Sequence, residues 1–117
     1  MKIKTMKKRS QFLVAQSGIK KHTAGFTLLA LERNDGSDDI NVGFTCSKKV
    51  GNAVERNTAK RRLREAARAV FNTDGEPGWD YVLIGKPKAT SEMSFSDMVD
   101  DLRGLVTGLR ARSTPEL

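Results

Sequence analysis

Residues 48–68 read Lys48-Lys49-Val50-Gly51-Asn52-Ala53-Val54-Glu55-Arg56-Asn57-Thr58-Ala59-Lys60-Arg61-Arg62-Leu63-Arg64-Glu65-Ala66-Ala67-Arg68. Eight cations stand against two acids in this run. Asn52 is a favourable N-cap and Glu55 follows three positions on, the spacing of a capping box, so a helix is expected over roughly 53–71. At about 100° per residue, Ala59, Leu63, Ala66, Ala67 and Val70 share one arc, which is the core stripe. Lys60, Arg64, Asn57, Arg68 and Arg61 fall in the neighbouring arc. Arg56 lies at the margin of the stripe, and both acids lie outside the cationic arc. The pairs Arg56/Lys60, Lys60/Arg64 and Arg64/Arg68 are like charges one turn apart, each costing roughly 0.2–0.5 kcal/mol in an isolated helix. Arg56 also opposes the helix dipole. Helix stability does not explain such a face, whereas a bound polyanion offsets both costs. Lys48, Lys49 and Gly51 lead into the helix start, where free N–H groups receive phosphate oxygens. A solvated basic surface is the plainer alternative; the clustering, the embedded Asn57 and the lack of balancing acids favour nucleic acid.

Outward from this helix the chain reads as an α/β arrangement. Residues 9–17 suggest a short helix ended by Gly18, and Lys20, Lys21 and His22 a basic loop. Residues 25–33 alternate as a strand, with Phe26, Leu28 and Ala30 on one face and Thr27, Leu29 and Leu31 on the other. After an acidic turn containing Gly36, residues 40–47 alternate again, with Ile40, Val42, Phe44 and Cys46 on the apolar face. A hairpin of these two strands is expected, leaving a mixed face with Thr27, Leu29, Thr45 and Ser47. Residues 74–78 break the basic helix, and residues 79–85 form a buried-type strand. A helix between strands implies a parallel pair. The last helix, about 94–110, carries Phe95, Met98, Val99, Leu102, Leu105, Val106 and Leu109 on its apolar stripe, with Asp97, Asp100 and Asp101 early, as the dipole favours.

The bulk properties agree with one domain over 1–117, large enough for a modest core. The formal charge of +7 is unevenly spread: +7 over residues 1–22, +6 over 48–68, and −3 over each of 23–47 and 69–117. Two basic blocks of this kind are the footprint of a nucleic-acid binder. No segment joins the charge to a long apolar face, so no membrane partner is expected. Nor does any stretch approach the ~20 apolar residues of a membrane span. The single Cys46 excludes an internal disulfide and suits a reducing compartment. Gln11, Gln16 and Ser17 interrupt any signal-peptide core, so a cytoplasmic location is expected.

Ser47-Lys48-Lys49-Val50-Gly51-Asn52-Ala53-Val54-Glu55-Arg56-Asn57, continuing through Lys60-Arg61 to Arg64-Glu65, strongly resembles the signature of the bacterial ribonuclease P protein subunit family. The resemblance covers nearly twenty positions, with Thr58 where the family pattern has arginine. It extends more weakly to Lys8-Arg9-Ser10-Gln11-Phe12, Gly25-Phe26-Thr27-Leu28-Leu29, Asn41-Val42-Gly43-Phe44-Thr45 and Asp80-Tyr81-Val82-Leu83-Ile84. It implies an α+β fold: a small α/β sandwich with a mixed sheet of about four strands, three helices and a left-handed crossover through the basic helix, like domain 2 of ribosomal protein S5. It further implies an endoribonuclease subunit that binds ribonuclease P RNA and the 5′ leader of precursor tRNA. The chemistry is expected in the RNA, with Mg2+ used there and none held tightly by the protein. No further protein partner is required. The implied RNA-binding residues are Lys48, Lys49, Asn52, Arg56, Asn57, Lys60, Arg61, Arg62, Arg64 and Arg68. The implied leader cleft is lined by Phe12, Thr27, Leu29 and Thr45. The family often has an aromatic residue where Leu29 stands and another one turn after Phe12, near Ala15 and Gln16; this chain has neither.

Other residues read more plainly. His22 lacks a recognisable acid–base partner and suits a surface loop. Cys46 suits a core thiol. Trp79 and Tyr81 are expected to pack at the sheet edge, because Asp80 between them spoils a base-stacking platform. A ribosomal protein of similar fold is the alternative function. A helix-turn-helix DNA binder is weaker, because no short helix and turn precede the basic helix.

Overall fold

A computed structural model of the chain describes residues 3–6, 15, 18–33, 35–46, 51–86 and 88–113, with side chains up to Leu109. Among the described residues, five strands form one mixed sheet: β1 (Ile3–Thr5), β2 (Ile19–His22), β3 (Phe26–Glu32), β4 (Ile40–Thr45) and β5 (Trp79–Gly85). Their spatial order is β1-β4-β5-β3-β2. Among the described residues there are three helices, α1 (Ala53–Asp74), α2 (Ala89–Glu92) and α3 (Phe95–Ser113). The helix expected over 9–17 lies outside the described residues apart from Ala15, whose carbonyl accepts the Gly18 N–H at 3.1 Å.

β4 and β5 pair in parallel with α1 as their connection, as the strand–helix–strand order requires. The expected β3–β4 hairpin does not form, because β5 lies between the two. It runs antiparallel to β3 from Phe26↔Gly85 to Glu32↔Trp79 and parallel to β4. The reason lies in β5 itself. Its Tyr81-Val82-Leu83 run is buried on both faces, and the centre of a sheet is where a strand apolar on both sides is best covered. The central position also corrects the expectation for Trp79 and Tyr81. They are core residues at 4% and 1% exposure, not edge residues.

Lys20, Lys21 and His22 are strand rather than loop. As part of β2 they occupy the sheet edge beside β3. There Lys20 reaches water and Lys21 stays half-exposed, and a charged strand of this kind blunts an open edge. Ile19 packs against the core. Gly18 precedes it at a point where an added Cβ would lie 2.1 Å from the Ala30 carbonyl oxygen.

The two faces of the sheet differ. Phe26, Leu28, Ala30, Ile40, Val42, Tyr81 and Leu83 meet Leu63, Val70 and Phe71 from α1 and Met98, Leu102, Val106 and Leu109 from α3. Phe71 stacks on Tyr81 with centroids 4.5 Å apart. The other face carries a smaller cluster of Met6, Ala15, Leu29 and Val82, with Ile84 against it. Where β5 begins, Arg33 donates to Asp80 at 2.7 Å, to Asp35 at 3.0 Å and to the Asp39 carbonyl at 2.8 Å, and Asn41 donates to Asp80 at 2.9 Å. Burial disfavours the Arg33 charge, but its hydrogen bonds to Asp80 and Asp35 outweigh that, and the pKa rises.

Candidate nucleic-acid interface

α1 begins with the capping box that the sequence predicts. The Asn52 side-chain oxygen accepts the Glu55 N–H at 2.9 Å, and the Glu55 carboxylate accepts the Asn52 N–H at 3.3 Å. Gly51 makes this closure possible. Its φ is +146°, and an added Cβ would lie 2.7 Å from the Glu55 carboxylate. The Asn52 side chain, a candidate RNA contact, therefore already serves the helix start.

The buried face of α1 is Ala59, Leu63, Ala66, Ala67, Val70 and Phe71. This is the expected stripe, extended by Phe71. On the outer side, Asn57, Lys60, Arg61 and Arg64 line one open groove together with Val54 and Thr58. Asn57, Arg61, Arg64 and Arg68 are exposed, and Arg56 and Lys60 half-buried. Among the described residues, the ion pairs within 4 Å are Lys4–Asp39, Arg33–Asp35, Arg33–Asp80 and Arg103–Asp74; none takes a cation of α1. Arg56 donates to the Gly51 carbonyl at 3.3 Å. The Thr58 hydroxyl turns back to the Val54 carbonyl at 3.0 Å, so the residue standing in place of an arginine spends its donor on the helix. The result is a ridge of uncompensated positive charge with one amide in its midst, which suits phosphate oxygens.

Arg62 behaves differently from its neighbours. Its Nε donates to the Thr90 carbonyl at 3.1 Å and its Nη2 to the Met93 carbonyl, so it fastens α1 to the end of α2. Thr90 is buried; its hydroxyl donates to the Gly25 carbonyl at 2.5 Å and accepts the Lys86 N–H at 2.7 Å. One arginine and one threonine thus join α1, α2 and the adjoining ends of β3 and β5. The helical wheel separates Arg62 from the cationic arc by placing it on the shoulder of the stripe opposite Lys60 and Arg64, but it does not name the partners Arg62 finds there.

Lys48, Lys49 and Phe12 lie outside the described residues. The remaining cleft residues sit on the sheet face away from α1. Thr27 and Thr45 flank Ile84 in one row across β3, β5 and β4. Thr27 is 6% exposed and its hydroxyl lies 2.9 Å from Nδ1 of His22. Leu29 is packed against Met6, Ala15 and Val82, whereas Thr45 is half-exposed. Cys46 is half-buried beside Gly85. Burial pushes its thiol pKa up, against the opposing pull of Lys60 and Arg56. Among the described residues no group of three His, Cys, Asp or Glu side chains is placed to share a metal ion, and no helix is long and apolar enough to cross a membrane.

The family model for Ribonuclease P matches residues 1–110. The chain is 51% identical over 110 residues to the ribonuclease P protein component of Ruegeria pomeroyi, covering 93% of this chain and 88% of that one. It is 50% identical over 99 residues to the ribonuclease P protein component of Gluconacetobacter diazotrophicus, covering 84% of each. Its fold is similar to that of the RNase P protein from Thermotoga maritima, with a TM-score of 0.74 at 25% identity, covering 90% of this chain and 96% of that one.

Proposed function

The chain belongs to the ribonuclease P protein family, and from that premise we propose that it binds ribonuclease P RNA through the outer side of α1. It serves as the protein subunit of an endoribonuclease that removes the 5′ leader of precursor tRNA in the bacterial cytoplasm. The observation that carries this is the ridge itself: Asn57, Lys60, Arg61 and Arg64 gathered on one groove with no acidic partner within 4 Å among the described residues. Arg56 and Arg68 continue the ridge at either end. Arg62, held by α2, supports it from the other shoulder.

The ridge binds rather than cuts. Guanidinium and amide groups hold phosphate firmly but trade no proton near neutral pH. In this reading the hydrolysis belongs to the RNA, which supplies the Mg2+ that the reaction needs. The protein's part is to add fixed positive charge where two RNAs meet, and to guide the leader past the sheet face at the half-exposed Thr45, with Thr27 and Leu29 buried beneath that surface as its support. With Leu29 in place of an aromatic, that face offers no stacking platform at this position, so the leader is held mainly by backbone and shape. The family match along most of the chain disfavours a ribosomal role.

Reconstitution with the organism's ribonuclease P RNA tests this. Precursor tRNA cleavage should rise with added protein, most visibly at low magnesium, where protein charge best substitutes for ions. Nuclease-free protein that cuts at the mature 5′ end without RNA would place the chemistry in this chain after all.

A further inference from the structure

Arg64 lines two surfaces. Besides the groove with Asn57 and Lys60, it joins Arg68 as one wall of a depression between α1 and the β1–β4 edge. The volume is about 330 Å3, at the small end of ligand clefts, which span roughly 300–1,000 Å3. Ile3, Val42, Phe44 and Phe71 form the floor. Phe71 and Val42 are buried at its base, but Ile3 is 40% exposed and Phe44 only half-buried, so apolar surface remains open to solvent. The Arg64 guanidinium stands 5.8 Å from the centroid of the Phe44 ring. Neither Arg64 nor Arg68 has a carboxylate within 4 Å among the described residues.

We propose that this depression takes one unstacked base of the bound RNA, with the base against Phe44 and Arg64 and its phosphate on Arg68. An aromatic ring, a planar guanidinium and a second cation one turn along suit a flat group that carries an anion. The charge selects the occupant. An apolar peptide would fit the floor but would leave two unpaired cations at its wall. A second copy of this chain, itself +7, would bring more positive charge to them. The assignment rests on the outer side of α1 being an RNA surface and extends it, because a strand lying on Asn57, Lys60 and Arg61 reaches the depression across Arg64.

Fluorescence anisotropy with a labelled single-stranded uridine octamer tests it on the full chain. Phe44→Leu keeps an apolar side chain but removes the ring, and should weaken binding about fivefold to tenfold with the salt slope unchanged. Arg68→Gln should weaken binding and lower the magnitude of the slope by about 0.7, the single-strand value for one phosphate. The double variant should lose less than the product of the two, since both act on one nucleotide. Thermal melts check that Phe44→Leu is folded. Ile3→Glu, on the exposed edge strand, is an independent probe: its carboxylate should weaken binding by at least as much. If the wild type binds with a normal salt slope while folded Phe44→Leu and Ile3→Glu bind equally well, the depression holds no base and the proposal falls alone. If those variants instead abolish a concentration-dependent dimer with RNA affinity intact, the occupant is a second copy. A wild-type affinity that ignores salt overturns the RNA surface, and the proposal with it.

Discussion

The inner and outer sides of α1 are built by opposite rules. The inner side is alanine-rich, with Ala59, Ala66 and Ala67 letting the helix lie close on the sheet while Leu63, Val70 and Phe71 fill the space between. Each residue there is satisfied within the molecule. The outer side leaves its cations without a carboxylate within 4 Å among the described residues and sets like charges one turn apart. One side is explained by the fold alone; the other costs helix stability, a cost that the proposed polyanion offsets. Arg62 on its shoulder shows that sequence composition does not decide which rule applies, since it is an arginine serving the fold.

The comparison breaks most visibly through Leu63. Its side chain is fully buried, so Leu63→Ala should cost roughly 2–5 kcal/mol through a cavity. A thermal melt should show that loss, while RNA affinity per folded molecule stays near wild type. If affinity falls while the melt does not move, the two sides have been assigned backwards.

Arg62 sharpens the division among the arginines. Arg62→Met retains the aliphatic stem but removes the donors to Thr90 and Met93, and should cost about 1–3 kcal/mol. The salt dependence of RNA binding should not change. A lower salt slope with an unmoved melt would transfer Arg62 to the outer set.

The outer pair should show the reverse pattern. In Arg61→Gln/Arg64→Gln, the lost cation–π contact on Phe44, about 0.5–1 kcal/mol, is offset by relief of like-charge pairs at roughly 0.2–0.5 kcal/mol each. The melting temperature should therefore shift little. A loss of several degrees would mean that these side chains carry structure as well.

The smallest effect concerns the seam between the two sides. Burial holds the Cys46 thiol pKa above its ordinary value, so less thiolate is present at neutral pH. Alkylation by iodoacetamide should be slower than for a free cysteine and should keep rising with pH past the point where the free thiol levels off. Removing the opposing charge, as in Lys60→Gln, should slow it slightly further. A rate equal to that of the free thiol would mean that Cys46 is more open than its packing indicates.

Much of α1 was legible because local rules govern it: the cap at Asn52 and Glu55, the stripe and the cationic arc all follow from helical spacing. The parallel β4–β5 pair was legible from element order. The pairing of β3 was not, because β5 enters between β3 and β4 after more than thirty residues, and no local pattern records that insertion. β2 was hidden by its charges, which an edge strand tolerates. β1 was hidden by its three-residue length. In the site, the groove formed by Asn57, Lys60, Arg61 and Arg64 was readable from the wheel. The ties of Arg62 to Thr90 and Met93 were not, since they depend on where α2 comes to rest.

The most direct test of the outer side is the salt dependence of RNA binding, measured on the wild type and on Arg61→Gln/Arg64→Gln. If Arg56, Lys60, Arg61, Arg64 and Arg68 each neutralise one phosphate, the log–log slope for the wild type should be roughly −3.5 to −4.5, and that of the double variant roughly −2.1 to −2.7. The same steep slope in both proteins, or a flat one in the wild type, would contradict an RNA surface on α1.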